Sequence, residues 1–262
     1  MVKLCEITDF LEKEFPPEFA EAFDNIGLLL GRSDKEISKI ILCLDANKNV
    51  VKEAMAEKAE LIITHHPAVF TPVKRINDTT DSGEMIISAL ENRISIYSAH
   101  TNLDSAPGGL TDEVCAKLEL TPIGKLEGNL GRLCKAPEKT TAKALAEKIK
   151  KEFELEKLYS TFTEDKIIST VAVCNGGGGG ELVEIAASLG ADVYISGDLK
   201  HHEISALKIN DRIDFIEMRH FDSEKIVTEL LKCKLEKEFG NKIEIVISQA
   251  EKSPLLDTDL IL

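Results

Sequence analysis

Long hydrophobic runs are missing from this 262-residue chain: the apolar stretches are short, as in Ile40-Ile41-Leu42-Cys43-Leu44, far below the roughly 20 residues that a membrane-spanning helix needs. A membrane protein is therefore not expected. The N-terminus, MVKLCEITDFLEKEF, places acidic residues where a secretory signal needs its apolar region, and the cytoplasm is the expected compartment. Positive charge is scarce as well. Lys and Arg number 32 against 46 Asp and Glu, a formal charge of −14, which repels phosphate backbones and argues against nucleic acid as a partner. The six cysteines lie far apart with no C-x-x-C pair, so neither a disulfide framework nor a thiolate zinc site is expected. They read as reduced, mostly buried thiols, Cys43 and Cys174 within or at the end of strand-like runs. Tryptophan is absent, and Gly and Pro are not in excess apart from one run, so low-complexity disorder is not supported.

What is present, 43% hydrophobic and 30% charged residues, suffices for two modest domains or one large α/β domain. The predicted elements occur twice in the same order. Helical spacing over 6–15 ends at Pro16-Pro17, and 141–153 looks alike. The first helix is followed by a strand over 37–45, a helix over 48–60 and a strand over 61–64. The second is followed by a strand over 167–174, a glycine turn, a helix over 181–189 with Gly190 as its cap, and a strand over 193–196. A third strand follows in each half, 94–98 and 213–217. Strands alternating with helices predict a largely parallel sheet whose ligand sites lie beyond the strands' C-terminal ends. The predicted division is 1–127 and 128–262, with the crossing in 105–135.

All six histidines fall in four stretches directly after predicted strands: His65-His66, His100, His201-His202 and His220. His100 and Asp104 are four apart, as are His220 and Glu224, a spacing that puts both on one side of a helical turn. Imidazoles and carboxylates without thiolates suit Zn, Mn, Fe, Co or Ni. Adjacent residues on an extended backbone point to opposite sides, so His65 and His66 are expected to serve different ions, and a dinuclear centre is favoured.

Five stretches together carry a resemblance: Phe23-Asp24-Asn25-Ile26-Gly27-Leu28 with Gly31-Arg32, Thr64-His65-His66-Pro67, His100-Thr101-Asn102-Leu103-Asp104, Gly197-Asp198, and His220-Phe221-Asp222-Ser223-Glu224. In this order and nearly end to end they resemble the NIF-three-like family, whose members are commonly labelled GTP cyclohydrolase I type 2 homologues. Phe23 stands where that family usually has Trp. The resemblance implies two intertwined α/β repeats and a toroidal homohexamer built as a trimer of dimers. It also implies a dinuclear divalent-metal centre held by His65, His66, Asp104, His220 and Glu224. Glu224 is expected to bridge, Asp104 to be a terminal ligand, and His100 to orient a ligand or act as a general acid or base. Asp198 and His201 are expected on the substrate side, with His202 equally well a surface residue.

Two readings of function follow. One is a metal-dependent hydrolase acting on a nucleotide or similar small anion, with ring-opening chemistry implied by the family label only. The other is a non-catalytic, metal-loaded hexameric scaffold or regulator that binds other proteins. The run Asn175 to Gly180 follows a strand and opens a helix, so it is either a phosphate-contacting loop or a plain mobile one. Asp24 to Gly27 reads as a turn with Gly27 at positive φ. The segment 222–239 reads as one packing helix with Ile226, Leu230, Cys233 and Phe239 on its inner face.

Overall fold

The computed structural model describes residues 1–255 of the chain. These form two compact units, one of Met1–Ala106 with Lys225–Lys252, the other built on Pro107–Glu224. Among the described residues no helix is long and apolar enough to cross a membrane.

The first unit holds a five-stranded sheet in the order Glu244–Ile247, Lys39–Cys43, Leu61–Thr64, Ser95–Ser98, Gly27–Leu30, parallel except for the last. Its three central strands are buried on both faces, as covered parallel sheets require. The helix Lys48–Ala56 starts where the Asn47 side chain accepts from the Asn49 and Val50 amides. The helix Asp81–Glu91 starts where the Thr80 hydroxyl accepts from Gly83. They bury Val50, Val51, Met85 and Ile86 against Ile41 and Ile62 of the sheet. Cys43 pairs with Thr64 and Thr64 with Ser98, so the three central strands end level, and the residues beyond them emerge along one edge.

The second unit repeats this plan. Thr170–Cys174, Val193–Ser196 and Asp214–Glu217 are parallel neighbours, with Cys174 opposite Ser196 and Ser196 opposite Glu217. The helices Gly179–Ser188 and His201–Asn210 connect them. Both units also carry an antiparallel edge strand on the third parallel strand, Gly27–Leu30 in one and Tyr159–Ser160 in the other. Each edge strand is preceded by a helix, Leu4–Glu14 and Ala142–Glu152 respectively. The α/β repeat expected from the order of elements is thus present, but the second unit's sheet is mixed rather than largely parallel, because two further strands, Arg132–Lys135 and Thr121–Gly124, add in antiparallel pairings on the Thr170–Cys174 side.

The division of the chain differs from a cut between 127 and 128. The first unit closes at Ala106 and takes back the helix Val227–Phe239 and the strand Glu244–Ile247, because that strand pairs with Lys39–Cys43, a long-range match that local periodicity does not carry. The stretch 105–135 is no mere crossing: it forms the helix Leu110–Lys117 and the strands Thr121–Gly124 and Arg132–Lys135. The single helix expected over 222–239 is two, His220–Glu224 and Val227–Phe239. The buried residues of the longer one include Val227, Leu231, Leu235 and Phe239, while Cys233 is exposed. Four cysteines are buried and Cys5 is half-buried.

Candidate metal centre

His65 and His66 lie past the end of their strand, in a bend. Their amides donate to the carbonyls of Cys43 and Leu44, and the Thr64 hydroxyl donates to the His66 carbonyl at 2.7 Å, folding the chain back on itself. The extended-backbone argument for separating the two rings therefore fails: their centroids are 5.1 Å apart, and each is within 5.6 Å of the His100 ring. One ring nitrogen from each of His65, His66 and His100 lies within 4.8 Å of the others, close enough to share one ion.

Each of these rings is fixed through Nδ1. His65, wholly buried, has its Nδ1 2.9 Å from the Ala99 carbonyl oxygen. A carbonyl only accepts, so the proton is on Nδ1 and the lone pair on Nε2. That Nε2 is 3.5 Å from Oδ1 of Asp104. His66 Nδ1 is 3.0 Å from Oδ1 of Asp45, and His100 Nδ1 is 2.9 Å from Oδ1 of Asp24.

Asp24 is the residue that sequence reasoning undervalued. It does not merely open a turn: its side chain has no solvent exposure, and its second oxygen accepts from the Thr101 amide and hydroxyl. Burial alone would push this carboxyl up; the hydrogen bonds from His100 and Thr101, with the charge of His100, outweigh that and hold it at about 2. Gly27 does take positive φ, at 96°, but as the first residue of a strand.

In the second unit, His220 opens its short helix with Nδ1 2.6 Å from Oδ2 of Asp198 and Nε2 3.1 Å from Oε2 of Glu224. The four-residue spacing does here what a helical turn allows. Register shows that the two His–carboxylate spacings are not equivalent. Ala99 and Met218 occupy matching positions, each donating to the last residue of the preceding strand, so His100 matches Arg219 and His220 matches Thr101. Accordingly Asp104 meets His65, while the carboxylate on His100 is Asp24.

The glycine run packs against the residues around His220 and Glu224. Gly176, at φ 62°, lies so close to Glu224 that a Cβ there would come within 2.0 Å of its Oε1 and 3.2 Å of His220 Nε2. Its amide donates to Ser223 Oγ, that of Gly178 to Ser196 Oγ and that of Gly180 to Glu203. Three amides of the run are thus engaged inside the protein, and the missing side chain at Gly176 makes room for the Glu224 carboxylate. His201 and His202 are exposed at the start of their helix, His201 Nε2 3.5 Å from Ser205 Oγ.

The donor set fits a divalent cation. In both His65–Asp104 and His220–Glu224 one ring nitrogen faces a carboxylate while the other is tied to an oxygen, an arrangement that a bound cation would suit.

The chain is similar to several known proteins. A "GTP cyclohydrolase 1 type 2 homolog" of Clostridium perfringens is 33% identical over 97% of this chain and 98% of its own length, and "NIF3-like protein 1" of Drosophila melanogaster is 30% identical over 97% and 89%. Among solved structures, reduced HcgD from Methanocaldococcus jannaschii superposes with a TM-score of 0.81 at 30% identity, covering 94% of this chain and 97% of that one. Staphylococcus aureus protein SA1388 superposes with a TM-score of 0.88 at 24% identity over 97% and 98%, a likeness of fold. The profile of one family matches residues 2–254, and on that span the chain belongs to the Duf34/NIF3 (NGG1p interacting factor 3) family.

Proposed function

We propose that the protein binds two divalent ions per chain through His65, His66 and Asp104 of the first unit and His220 and Glu224 of the second, and that it hydrolyses a small, anionic, nucleotide-like substrate. One observation carries the metal reading: the three proposed histidine ligands, His65, His66 and His220, all have Nδ1 tied to an oxygen at 2.6–3.0 Å, the outer support that metal-binding imidazoles characteristically have. Zn, Mn, Fe, Co and Ni all suit these donors. When bound, such an ion supplies Lewis acidity for hydrolysis.

The chain's own groups then do the following. Asp24, ionised across the physiological range, keeps the His100 proton on Nδ1, so His100 exchanges protons at Nε2 and acts as the general acid or base. Asp198 holds His220 in the same way, and Glu224, 3.1 Å from His220 Nε2, would hold an ion with it. His201, exposed at its helix start, is a group that substrate can meet. The nucleotide-like substrate is supported by the name that the clostridial relative bears. A cytoplasmic homohexamer is the expected setting, and exposed Phe23, Phe70 and Ile76 give such an assembly apolar surface to bury.

The test is elemental analysis of the purified protein, followed by a screen of the metal-reconstituted protein against nucleotides and phosphoesters. About two ions per chain and turnover of a nucleotide are expected. A protein that takes up no divalent ion sinks the reading; one that is fully loaded and inert throughout the screen leaves the scaffold role in its place.

A further inference from the structure

A dipeptide, Leu44-Asp45, holds His66 at two points. The Leu44 carbonyl accepts from the His66 amide at 2.9 Å, and the Asp45 carboxylate meets the His66 ring at Nδ1, 3.0 Å away. Leu44 and Asp45 lie just past the end of their own strand, where backbone donors commonly turn to side chains or water for partners. Both donors go to one residue 206 and 207 positions further along the chain: the Asp45 amide donates to Glu251 Oε1 at 2.6 Å, and the Leu44 amide to Glu251 Oε2 at 2.8 Å.

Glu251 is itself held in place. Its amide donates to Ser248 Oγ at 3.2 Å, the Ser248 amide donates to the Leu42 carbonyl at 2.9 Å, and the Gln249 amide donates to Glu53 at 2.7 Å. The turn over 248–251 thus continues the edge of the sheet formed by Glu244–Ile247 and Lys39–Cys43, and every contact in it lies within the first unit.

We infer that Glu251 is a positioning residue for the metal centre: its carboxylate clamps Leu44-Asp45 and thereby fixes both the backbone and the ring orientation of His66. It touches neither metal nor substrate. A fork of two oxygens on two successive amides sets their direction as one oxygen cannot, and Asp45, more than half exposed, has a defined place from which to hold the ring only while its backbone is held. The inference rests on His66 being a ligand only for its consequence in metal binding; the hold on the ring stands without it.

The experiment uses the full chain with Glu251→Ala, Glu251→Gln, Asp45→Ala and the double variant Glu251→Ala with Asp45→Ala. Long-range proton–nitrogen NMR of the metal-free proteins reads the His66 ring, and calorimetry with Zn²⁺ or Mn²⁺ reads affinity. The His66 ring should be a single Nδ1–H tautomer in the wild type and a mixture in Glu251→Ala. Affinity should fall by about 10- to 100-fold in Glu251→Ala, less in Glu251→Gln, which keeps one acceptor, and the double variant should lose little more than Asp45→Ala alone. A purely structural tail anchor would instead leave the His66 signals unchanged, and its loss of affinity would multiply with that of Asp45→Ala; either result overturns the inference. Should Glu251→Ala fail to fold, Glu251→Gln decides by the same two readings. A wild type that binds neither ion refutes the proposed function, and the tautomer then decides the clamp alone.

Discussion

Replacing Asp24 by asparagine tests how the buried carboxylate supports the centre. The carboxyl sits at about 2 in the folded protein against 3.8 ordinarily. At about 1.4 kcal/mol per unit, that difference makes the ionised form worth about 2 kcal/mol of folding stability. Because the folded value is the lower one, the contribution is complete above the unfolded value, falls to roughly half near pH 3 and is nearly gone at pH 2. The substituted carboxamide keeps one acceptor for Thr101 or His100 but has no charge to lose. The gap in unfolding free energy between wild type and Asp24→Asn should therefore be about 2 kcal/mol at pH 6 and shrink to about half that at pH 3, measured by urea unfolding at each pH. Other carboxylates contribute equally to both proteins and drop out of the difference. A gap that stays constant over this range, or widens towards acid, would refute the account of Asp24.

Three further outcomes are expected. Glu224→Ala should strip more metal from the protein than His202→Ala, since Glu224 is the proposed bridge and His202 is exposed; elemental analysis of both variants checks this, and equal losses would count against the bridge. Gly176→Ala should cost about 3 kcal/mol or more, combining left-handed strain with a clash against Glu224, whereas Gly179→Ala, also at positive φ but facing open space, should cost about 1–2 kcal/mol from strain alone; thermal unfolding separates them. Chelator should lower the melting temperature and, by mass-resolved scattering, weaken the proposed hexamer, because bound dications would offset part of the −14 charge on each chain.

The order of strands and helices was legible where strands such as Lys39–Cys43 and Leu61–Thr64 are short apolar runs and helices such as Lys48–Ala56 and Ala142–Glu152 open on a capping Asn47 or Thr141. The histidines were legible for the same reason: a site at the end of a strand leaves its residues just after a recognisable run. What could not be read was whatever depends on distant pairing. The helix Asp81–Glu91 hides behind an internal Gly83, and Glu244–Ile247 is a strand chiefly because Lys39–Cys43 lies beside it. Asp24 looks like any turn aspartate until its contact with His100, 76 residues on, is known. The separation of His65 from His66 does not follow because the strand stops at Thr64, before either residue, so strand alternation does not reach them.

The repeat itself explains why the two units differ where their chemistry does. Counting from the level strand ends, Asp45 matches Gly176 and His66 matches Asp198. The first unit therefore has carboxylate then imidazole where the second has glycine then carboxylate. Its imidazole partner, His220, comes from the next loop. Each unit still builds an Asp–His pair through Nδ1, but with the two roles exchanged between positions. The exchange has a backbone consequence on each side. In the first unit the Asp45 amide is taken by Glu251, which lies outside the repeated elements; in the second, the Gly176 amide is taken by Ser223, from the helix that carries His220 and Glu224. Glycine at 176 is required because Glu224 occupies the space a side chain would fill. At 45 no such carboxylate intrudes, and an aspartate can face its histidine. The same arrangement of strands, used once in each unit, thus supports two differently built histidine sites, and the residues that distinguish them, Glu251 and Gly176, are ones that no motif of ligands would include.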